Sequence, residues 1–413
     1  MNNKSDTLPW TRIDSFVGNK SNPALTTYRP CPICGSLHYR NILTFNDFQF
    51  FSDSTEYPKR TVIQNVQCQD CHAVYLNPCY TTIGFDYLFS EAGRSYGSTE
   101  GRPAEQREWL DKRNLLDEGT VFLDVGCYDG RLLSHLPKNI RRVGVDIDEP
   151  AIKQGQARYG SEGVELINGA FESFSCSVQP DVISMFHVLE HLANPYAVLK
   201  HLRLMSHAET RLVVEVPIIE FGKTNDINGF FSVQHMTHFS SHSLSQLLLR
   251  AGWFVLEKQK ISGYNGCRIL AKPGEINSVI GIAADIGAVY EYLSHWYRSL
   301  MEIEQKISAY STKPRMVIWG GGMHSEFLYQ ASSLFSQNRH QQYIVVDSDP
   351  LKQGKSWRGL PIFSPEVLSD IDWSECHLLI SSYGGQESIA AAAENNGVPN
   401  LAIQRLYDAI CVY

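Results

Sequence analysis

The sequence has little of what a membrane protein or a nucleic-acid-binding protein needs. Its 413 residues contain no low-complexity tract and no run of the ~20 apolar residues that a membrane helix requires. The polar start MNNKSDTLPW lacks the basic-then-apolar order of a signal peptide. The net charge of −8 argues against a basic face for a phosphate backbone. We therefore expect a cytoplasmic protein without a membrane or nucleic-acid partner.

Cysteine is present, but not in the pattern of a disulfide framework. Ten cysteines in a cytosolic chain of this length do not suggest paired disulfides. Four of them form two C-x2-C pairs, Cys31–Cys34 and Cys68–Cys71, with 33 residues between the pairs. Four thiolates in this arrangement can close a tetrahedron around Zn²⁺. A redox site is the alternative, but it needs only one such pair, so we predict structural zinc.

Length and composition indicate more than one folded unit. Apolar residues make up 43% of the chain and charged residues 19%, which is typical of a globular protein. A chain of 413 residues is too long for one compact core, and the usual domain size predicts two or three domains.

The most informative segment is VFLDVGCYDG, residues 121–130. VFLDV predicts a buried strand, and Gly126 and Gly130 let the backbone approach a ligand before the helical RLLSHL. The next apolar run, RRVGVD, ends in Asp146, a carboxylate placed to accept the two hydroxyls of a ribose. The spacing is not the G-x-G-x-x-G of dinucleotide sites, and Asp124 before the turn suits a positively charged amino-acid tail. These residues predict an adenosine-type ligand.

At this point the chain resembles the class I S-adenosylmethionine-dependent methyltransferases. DVGCYDG stands as their glycine-rich motif and GVDID as their second motif, and three further landmarks follow in order: GVELINGAF, PDVISMFHVLEHLANPYAVLKHL and RLVVEVP. The resemblance implies S-adenosylmethionine as the cofactor. The residues that it implies for cofactor binding are Asp124, Gly126, Gly130, Asp146, Ile147, Ala170 and His187.

Among these residues, the resemblance gives each end of the donor its own partners. Asp124 is expected at the ammonium end, Asp146 at the ribose and His187 at the methionine end. Ala170 occupies a position where many methyltransferases have an acid for the adenine amino group. Adenine recognition is therefore expected to use backbone groups.

The second half of the chain predicts another α/β unit. Apolar residues spaced four and three apart between 282 and 300 predict a connecting amphipathic helix. MVIWGGG, YIVVDSDP and HLLISS then predict strands of a second parallel sheet, with helical segments between them. We predict an α/β chain with an N-terminal zinc-binding domain (1–85), a central Rossmann-like methyltransferase domain with a lid (86–275), and a linker helix with a C-terminal Rossmann-like domain (276–413).

This order of zinc ribbon, methyltransferase core and Rossmann-like unit resembles the nucleotide-sugar C-methyltransferases, including the 3-C-methyltransferases of deoxysugar pathways. The most specific pieces are QCQDCHAVYLNP, QHMTHFSSHSLSQLLLRAGW, YNGCRILAKP and VVDSDPLKQGKSWRGLPIFSPEVL. The resemblance implies a nucleotide-linked sugar as substrate, methylated at a carbon next to a keto group. An O-methyltransferase for a sugar or small molecule, and a binding protein without catalysis, remain alternatives. The oligomeric state stays open.

The family places its base histidine in the segment E-H-x-x-Y-F-S, which makes His235 the candidate base here. The acid of that segment is Gln234 in this chain, and a tyrosine expected two residues earlier is Ser232. His191, in VLEHL, is a second catalytic candidate. The alternative role of His235 is packing at a strand-to-helix junction, and that of His191 is packing against the cofactor loop. The candidate substrate contacts are Tyr96 in the predicted lid, Asn265, and Arg268, whose guanidinium suits a diphosphate.

Overall fold

The structure is a computed structural model that describes residues 8–13, 24–50, 59–89, 101–221, 224–227, 231–274, 286–310, 312–336 and 341–410. The strands are β1 (Thr26–Thr27), β2 (Tyr39–Phe50), β3 (Lys59–Cys68), β4 (Val74–Leu76), β5 (Cys79–Tyr80), β6 (Val121–Val125), β7 (Arg141–Asp146), β8 (Val164–Asn168), β9 (Val182–Phe186), β10 (Arg211–Pro217), β11 (Thr237–His238), β12 (Trp253–Lys260), β13 (Gly266–Pro273), β14 (Arg315–Trp319), β15 (Gln342–Val346), β16 (Ser356–Trp357), β17 (Leu360–Phe363), β18 (Cys376–Ile380) and β19 (Ile403–Gln404). The helices are α1 (Thr82–Phe89), α2 (Arg102–Asp111), α3 (Arg131–His135), α4 (Glu149–Tyr159), α5 (Pro195–Leu204), α6 (Ser241–Arg250), α7 (Ile286–Tyr310), α8 (Met323–Ala331) and α9 (Gln386–Asn395).

The central sheet has seven strands in the order β12-β13-β10-β9-β6-β7-β8. Strands β8, β7, β6, β9 and β10 run parallel, whereas β13 is antiparallel to both of its neighbours. The chain leaves β6 toward β7 on one side, and β9 lies on the other side of β6. Ligands of doubly wound sheets bind outside the carboxyl ends of the strands at such a switch point. The α/β methyltransferase-type architecture expected for this region is confirmed.

The sequence explains why these strands and helices form. β6, β9 and β10 are nearly continuous apolar runs, as expected for parallel strands that are covered on both faces. α5 begins after Asn194, whose side chain accepts a hydrogen bond from the Ala197 backbone N–H, and has Pro195 in its first turn. α6 begins with a capping box made by Ser240 and Ser243. Local capping therefore sets the residues at which α5 and α6 begin.

The N-terminal sheet is antiparallel, in the order β11-β4-β3-β2. Its outer strand β11 lies beyond the boundary predicted from the sequence, because Thr237 and His238 pair with Tyr75 and Val74 of β4. The segment that carries His235 is therefore joined to the cysteine-containing part of the chain by backbone hydrogen bonds.

The C-terminal sheet has the order β16-β17-β15-β14-β18-β19, and all of its strands are parallel except β16. The connecting helix predicted before it is α7, which ends at Tyr310. None of the helices within the described ranges combines the length and the apolarity that a membrane span needs.

The N-terminal and C-terminal units share a buried ionic cluster. Arg358 is fully buried and donates to both carboxylate oxygens of Glu326, at 2.8 and 2.6 Å. Its third nitrogen lies 3.3 Å from the carboxylate of Asp47 on β2, which is also buried. Buried charges are tolerated only when they are paired and hydrogen-bonded, so this cluster fastens β2 to the C-terminal unit.

We predict that Arg358→Met destabilises the protein by about 3–5 kcal/mol, because it removes the cation paired with the buried carboxylate of Glu326 and one of the cations beside Asp47, which keeps Arg60. The control is Arg405→Met, which removes the partly exposed pair between Arg405 and Glu387 and is expected to cost at most about 1 kcal/mol. Urea unfolding followed by tryptophan fluorescence measures both changes. Equal midpoints for the two variants would contradict the role given to Arg358.

Candidate active site

The glycine turn after β6 lies at the carboxyl edge of the central sheet. Gly126 has a φ of 80°, and its N–H donates to the Val145 carbonyl on the neighbouring strand at 2.8 Å. A Cβ at this position would lie 2.2 Å from a methyl of Val188, so a side chain does not fit. Gly130 also has a positive φ, of 79°, and immediately precedes α3. Both glycines are required by the backbone path.

Asp146 ends β7 beside this turn, and its carboxylate is held by backbone N–H groups. One oxygen accepts from Tyr128 at 2.7 Å and the other from Asp148 at 2.9 Å. Asp146 is therefore an ordered acceptor, with only 8% of its surface exposed. A carboxylate fixed at a strand tip in this way can accept hydrogen bonds from a pair of vicinal hydroxyls.

Exposed apolar side chains flank Asp146. Tyr128 is 54% exposed and Ile147 is 50% exposed, although both are large. Ala170, after β8, is also exposed and offers no side-chain acceptor. The surface next to the carboxylate therefore suits a flat, largely apolar ring such as a nucleobase.

Asp124 is in the interior of β6. Its carboxylate accepts a hydrogen bond from the Ser184 hydroxyl at 2.6 Å and is 4% exposed. Burial raises the pKa of this carboxyl to about 7, despite the hydrogen bond from Ser184. A contact with the donor would therefore run through the adjoining backbone rather than through a free carboxylate.

His187 follows β9 in an unusual backbone conformation, with a φ of 58°. Its backbone N–H donates to the Glu215 carbonyl at 2.8 Å, and its Nε2 lies 3.2 Å from the Glu215 carboxylate and from the Tyr264 hydroxyl. Its Nδ1 lies 3.3 Å from Glu190. Burial opposes the charged imidazole, but the two carboxylates outweigh it and raise the pKa of His187 to about 9. The residue is therefore an imidazolium held between two anions.

His191 and His235, the two catalytic candidates, are brought together. Their ring centroids are 5.0 Å apart, and His191 Nδ1 lies 3.2 Å from the Gln234 carbonyl. Glu190 lies between His187 and His191, with a carboxylate oxygen 3.8 Å from His191 Nε2. Burial and the nearby histidines lower the pKa of His235 well below its usual value, so its imidazole is neutral. The cluster thus combines a buried acid, a cation and a neutral imidazole at the carboxyl edge of the sheet.

Arg268, a candidate substrate contact, lies in the interior. Its guanidinium donates to Glu105 at 3.0 and 2.7 Å and also to Glu215, and the side chain is fully buried. Its donors therefore bind carboxylates of this chain. Asn265 is half-buried, and its carbonyl accepts from the Ile218 N–H at 2.9 Å. Tyr96 lies outside the described residues.

The sequence did not indicate three residues of the candidate site: Glu190, Glu215 and Tyr264. A signal existed for Glu215, because a carboxylate inside the apolar run RLVVEVP must find a buried partner. Glu190 belongs to the VLEHL segment, but the sequence gives no sign that its carboxylate is only 1% exposed.

Arg29 connects the cysteine-containing region to the loops that carry His191 and His235. Its guanidinium donates to the carbonyls of Leu192 and Ala193, and to the carbonyl of Met236 and the hydroxyl of Thr237. The loop after His191 and the loop after His235 are thus held by one side chain.

The four predicted metal ligands, Cys31, Cys34, Cys68 and Cys71, converge. The Sγ atoms of Cys31 and Cys71 are 3.5 Å apart, and those of Cys34 and Cys68 are 3.6 Å apart. All four lie within 4.8 Å of one another, and three of the side chains are buried. A tetrahedron with Zn–S bonds of about 2.3 Å has edges of about 3.8 Å, so the cluster is compatible with one Zn²⁺ ion.

Residues 100–258 match the family model described as a methyltransferase domain. No curated protein matches the sequence. The chain is similar to magnesium protoporphyrin IX methyltransferase from Synechocystis PCC 6803 with bound S-adenosylhomocysteine (19% identity, 47% of this chain and 99% of that chain, TM-score 0.38). It is also similar to 1,6-didemethyltoxoflavin-N1-methyltransferase from Burkholderia thailandensis (16%, 51% and 99%, 0.40).

A third similar structure is an S-adenosylmethionine-dependent methyltransferase from Clostridium acetobutylicum ATCC 824 (10% identity, 46% of this chain and 98% of that chain, TM-score 0.37). These TM-scores are too low to carry an argument about this chain. The family match, together with the strand order and the glycine turn described above, makes the central region an S-adenosylmethionine-dependent methyltransferase domain.

We predict that Asp146→Ala weakens the binding of S-adenosylhomocysteine at least tenfold, which corresponds to about 1.4 kcal/mol. The variant removes a candidate ribose acceptor and the partner of two backbone N–H groups. The matched control is Asp148→Ala, which removes only the N-cap of α4 and is expected to cost about 1 kcal/mol of stability. Calorimetric titration with S-adenosylhomocysteine measures the affinity of both variants. Equal affinities would be evidence against Asp146 as the ribose acceptor.

Proposed function

We propose that this chain transfers a methyl group from S-adenosylmethionine to a nucleotide-linked sugar, at a carbon next to a keto group. The observation that carries the proposal is the convergence of His191, His235 and buried Glu190 beside the glycine turn of the methyltransferase domain. The resemblance of the N-terminal and C-terminal segments to nucleotide-sugar C-methyltransferases supports the substrate class.

The residues at the sheet edge fit the methyl donor. The glycine turn at Gly126 has no room for a side chain, Asp146 offers a fixed carboxylate to a ribose, and Tyr128 and Ile147 offer apolar surface to an adenine. When bound, the donor supplies the methyl group as a sulfonium and leaves as a neutral thioether. Positioning therefore provides much of the rate, as in other two-reactant steps.

Methylation of a carbon next to a ketone also needs a base and a group that polarises the carbonyl oxygen. The C–H bond of the substrate breaks, and its proton passes to the imidazole of His235. The electron pair then forms the new bond to the methyl carbon, while the methyl–sulfur bond breaks. The positive charge of the sulfonium thus ends as a proton on the base. The ring of His191 lies next to that of His235, with the centroids 5.0 Å apart.

The departures from the sugar C-methyltransferase motif lie next to these histidines. Gln234 replaces the acid of that motif. The residue is only 6% exposed, and it contacts His191 through its backbone carbonyl. The carboxylate nearest to the histidines is instead Glu190. We propose that Glu190 supplies the negative charge that the motif otherwise has at position 234.

We further propose that Cys31, Cys34, Cys68 and Cys71 bind one structural Zn²⁺ ion. The distances between their sulfur atoms support this assignment, since four thiolates so close together need a cation. The ion would hold the two cysteine pairs together. Arg29 lies beside them and contacts the loops that follow His191 and His235.

His235→Asn is expected to lower the turnover number ~10²- to 10⁴-fold, because the base is removed. A second readout is proton exchange in deuterated water, with a nucleotide-linked keto-deoxysugar and no donor. The wild-type protein should exchange the proton next to the ketone, and His235→Asn should not. His135→Asn, at the exposed end of α3, is the control.

The outcomes of this experiment separate the alternatives. Donor turnover without exchange would identify an O-methyltransferase. A protein that forms no S-adenosylhomocysteine with any nucleotide-linked sugar would overturn the proposed function.

Purified wild-type protein is expected to contain one zinc ion per chain. Cys68→Ser removes one of four ligands, so we expect its zinc content to fall by more than half and its melting temperature to drop. Cys176→Ser changes a cysteine outside the cluster and should do neither. Elemental mass spectrometry measures the metal, and unchanged zinc in Cys68→Ser would count against the site.

A further inference from the structure

Glu190, His191 and His235 form a group with metal-binding geometry that is separate from the four cysteines. One ligand atom from each residue lies within 4.8 Å of the other two. Ligands that bind one side of an ion at about 2.1 Å are about 3.0–3.4 Å apart, so side-chain movements of up to about 1.5 Å close the set. When two imidazoles and one carboxylate bind one side of an ion, the coordination positions on its other side stay open.

The carboxylate of Glu190 lacks hydrogen-bond partners in the described part of the chain. Neither of its oxygens accepts a hydrogen bond, although the side chain is 1% exposed. A buried carboxylate normally accepts several hydrogen bonds or binds a cation. His187 compensates the charge in part, with its Nδ1 3.3 Å away, but Nε2 of the same ring is engaged by Glu215. Glu190 therefore has capacity for a further cationic partner.

The orientation of His191 suits a metal ligand. Its Nδ1 contacts the Gln234 carbonyl at 3.2 Å, which requires the proton to be on Nδ1. The lone pair is then on Nε2, the nitrogen that lies 3.8 Å from Glu190. A histidine that donates one N–H to a backbone carbonyl and offers its other nitrogen is the usual arrangement at metal sites.

The three residues stand on supported backbone. Glu190 and His191 belong to a 3-10 turn, Leu189–His191, directly after β9. His235 precedes β11, which is hydrogen-bonded to β4. Arg29 holds the loops that follow both histidines. The backbone that carries these three residues is therefore held in place. Only the side chains need to move when an ion binds, which favours affinity.

We propose that Glu190, His191 and His235 bind a divalent transition-metal cation, such as Mn²⁺, Fe²⁺ or Co²⁺, whose open positions take oxygen atoms of the substrate. The inference rests on the proposed function for the methyl transfer and for the substrate site, and it gives His235 the role of a metal ligand in place of the role of a base. A bound cation polarises a carbonyl or hydroxyl oxygen as a Lewis acid. Both proposals need the lone pair of His235, and they differ in whether it binds a substrate proton or the ion.

The test is a titration with Mn²⁺ of the full-length protein that carries a single equivalent of Zn²⁺, enough for the four cysteines only, followed by the electron paramagnetic resonance signal of free Mn²⁺. Mn²⁺ prefers oxygen and nitrogen ligands to thiolates, so the four cysteines do not compete for it. We expect one ion per wild-type chain, and at least tenfold weaker binding for Glu190→Gln, His191→Asn and His235→Asn. The control is His207→Asn, because His207 also lies beside a carboxylate, Asp181, but away from the cluster.

No Mn²⁺ bound by the wild-type chain, or binding that survives in all three variants, overturns the inference. Calorimetric binding of S-adenosylhomocysteine verifies that each variant is folded, and His235→Asn decides the matter if Glu190→Gln does not fold. Failure here is distinct from failure of the proposed function. Turnover of a nucleotide-linked sugar in Mn²⁺-free buffer, without Mn²⁺ binding, would leave His235 as a base and remove the ion.

Discussion

The burial of carboxylates at the carboxyl edge of the central sheet is the constraint on which the site depends. Glu190 and Glu215 are both 1% exposed at their side chains, and each must be compensated where it lies. His187 lies between the two, and Arg268 binds the second of them. The ion pairs between these residues therefore hold their side chains in place before any ligand binds.

The same constraint connects distant parts of the chain. Arg268 on β13 reaches Glu105 on α2, and Arg29, just before the first cysteine pair, holds the loops on either side of the histidine cluster. β11 completes a sheet whose other strands belong to the N-terminal region. The N-terminal region therefore supports the pocket mechanically, which gives a physical reason for a cysteine cluster in a methyltransferase chain.

Features that depend on contiguous sequence could be predicted. The strand before the glycine turn, the carboxylate at the end of the next strand and the two cysteine pairs are each encoded within a few residues, and the structure has the corresponding geometry. The succession of strands β6 to β10 along the chain followed from the order of the motifs, whereas their order within the sheet was not predicted. These predictions work because strand ends and tight turns are set by local chemistry.

The remaining features depend on contacts across long separations. Nothing near Arg268 indicates that its partners are Glu105 and Glu215, so its guanidinium was expected to face a diphosphate. The pairing of β11 with β4 joins segments more than 150 residues apart, and it crosses the predicted boundary between the first two domains. The burial of Glu190 is likewise a result of packing, which single residues in a motif do not reveal.

The most direct measurement is a crystal structure of the protein with S-adenosylhomocysteine bound. We expect its ribose hydroxyls on the carboxylate of Asp146, and its sulfur atom directed toward the pocket that contains Glu190, His191 and His235. An adenosine bound away from the tip of β7, or a sulfur atom remote from these histidines, would contradict the site described here.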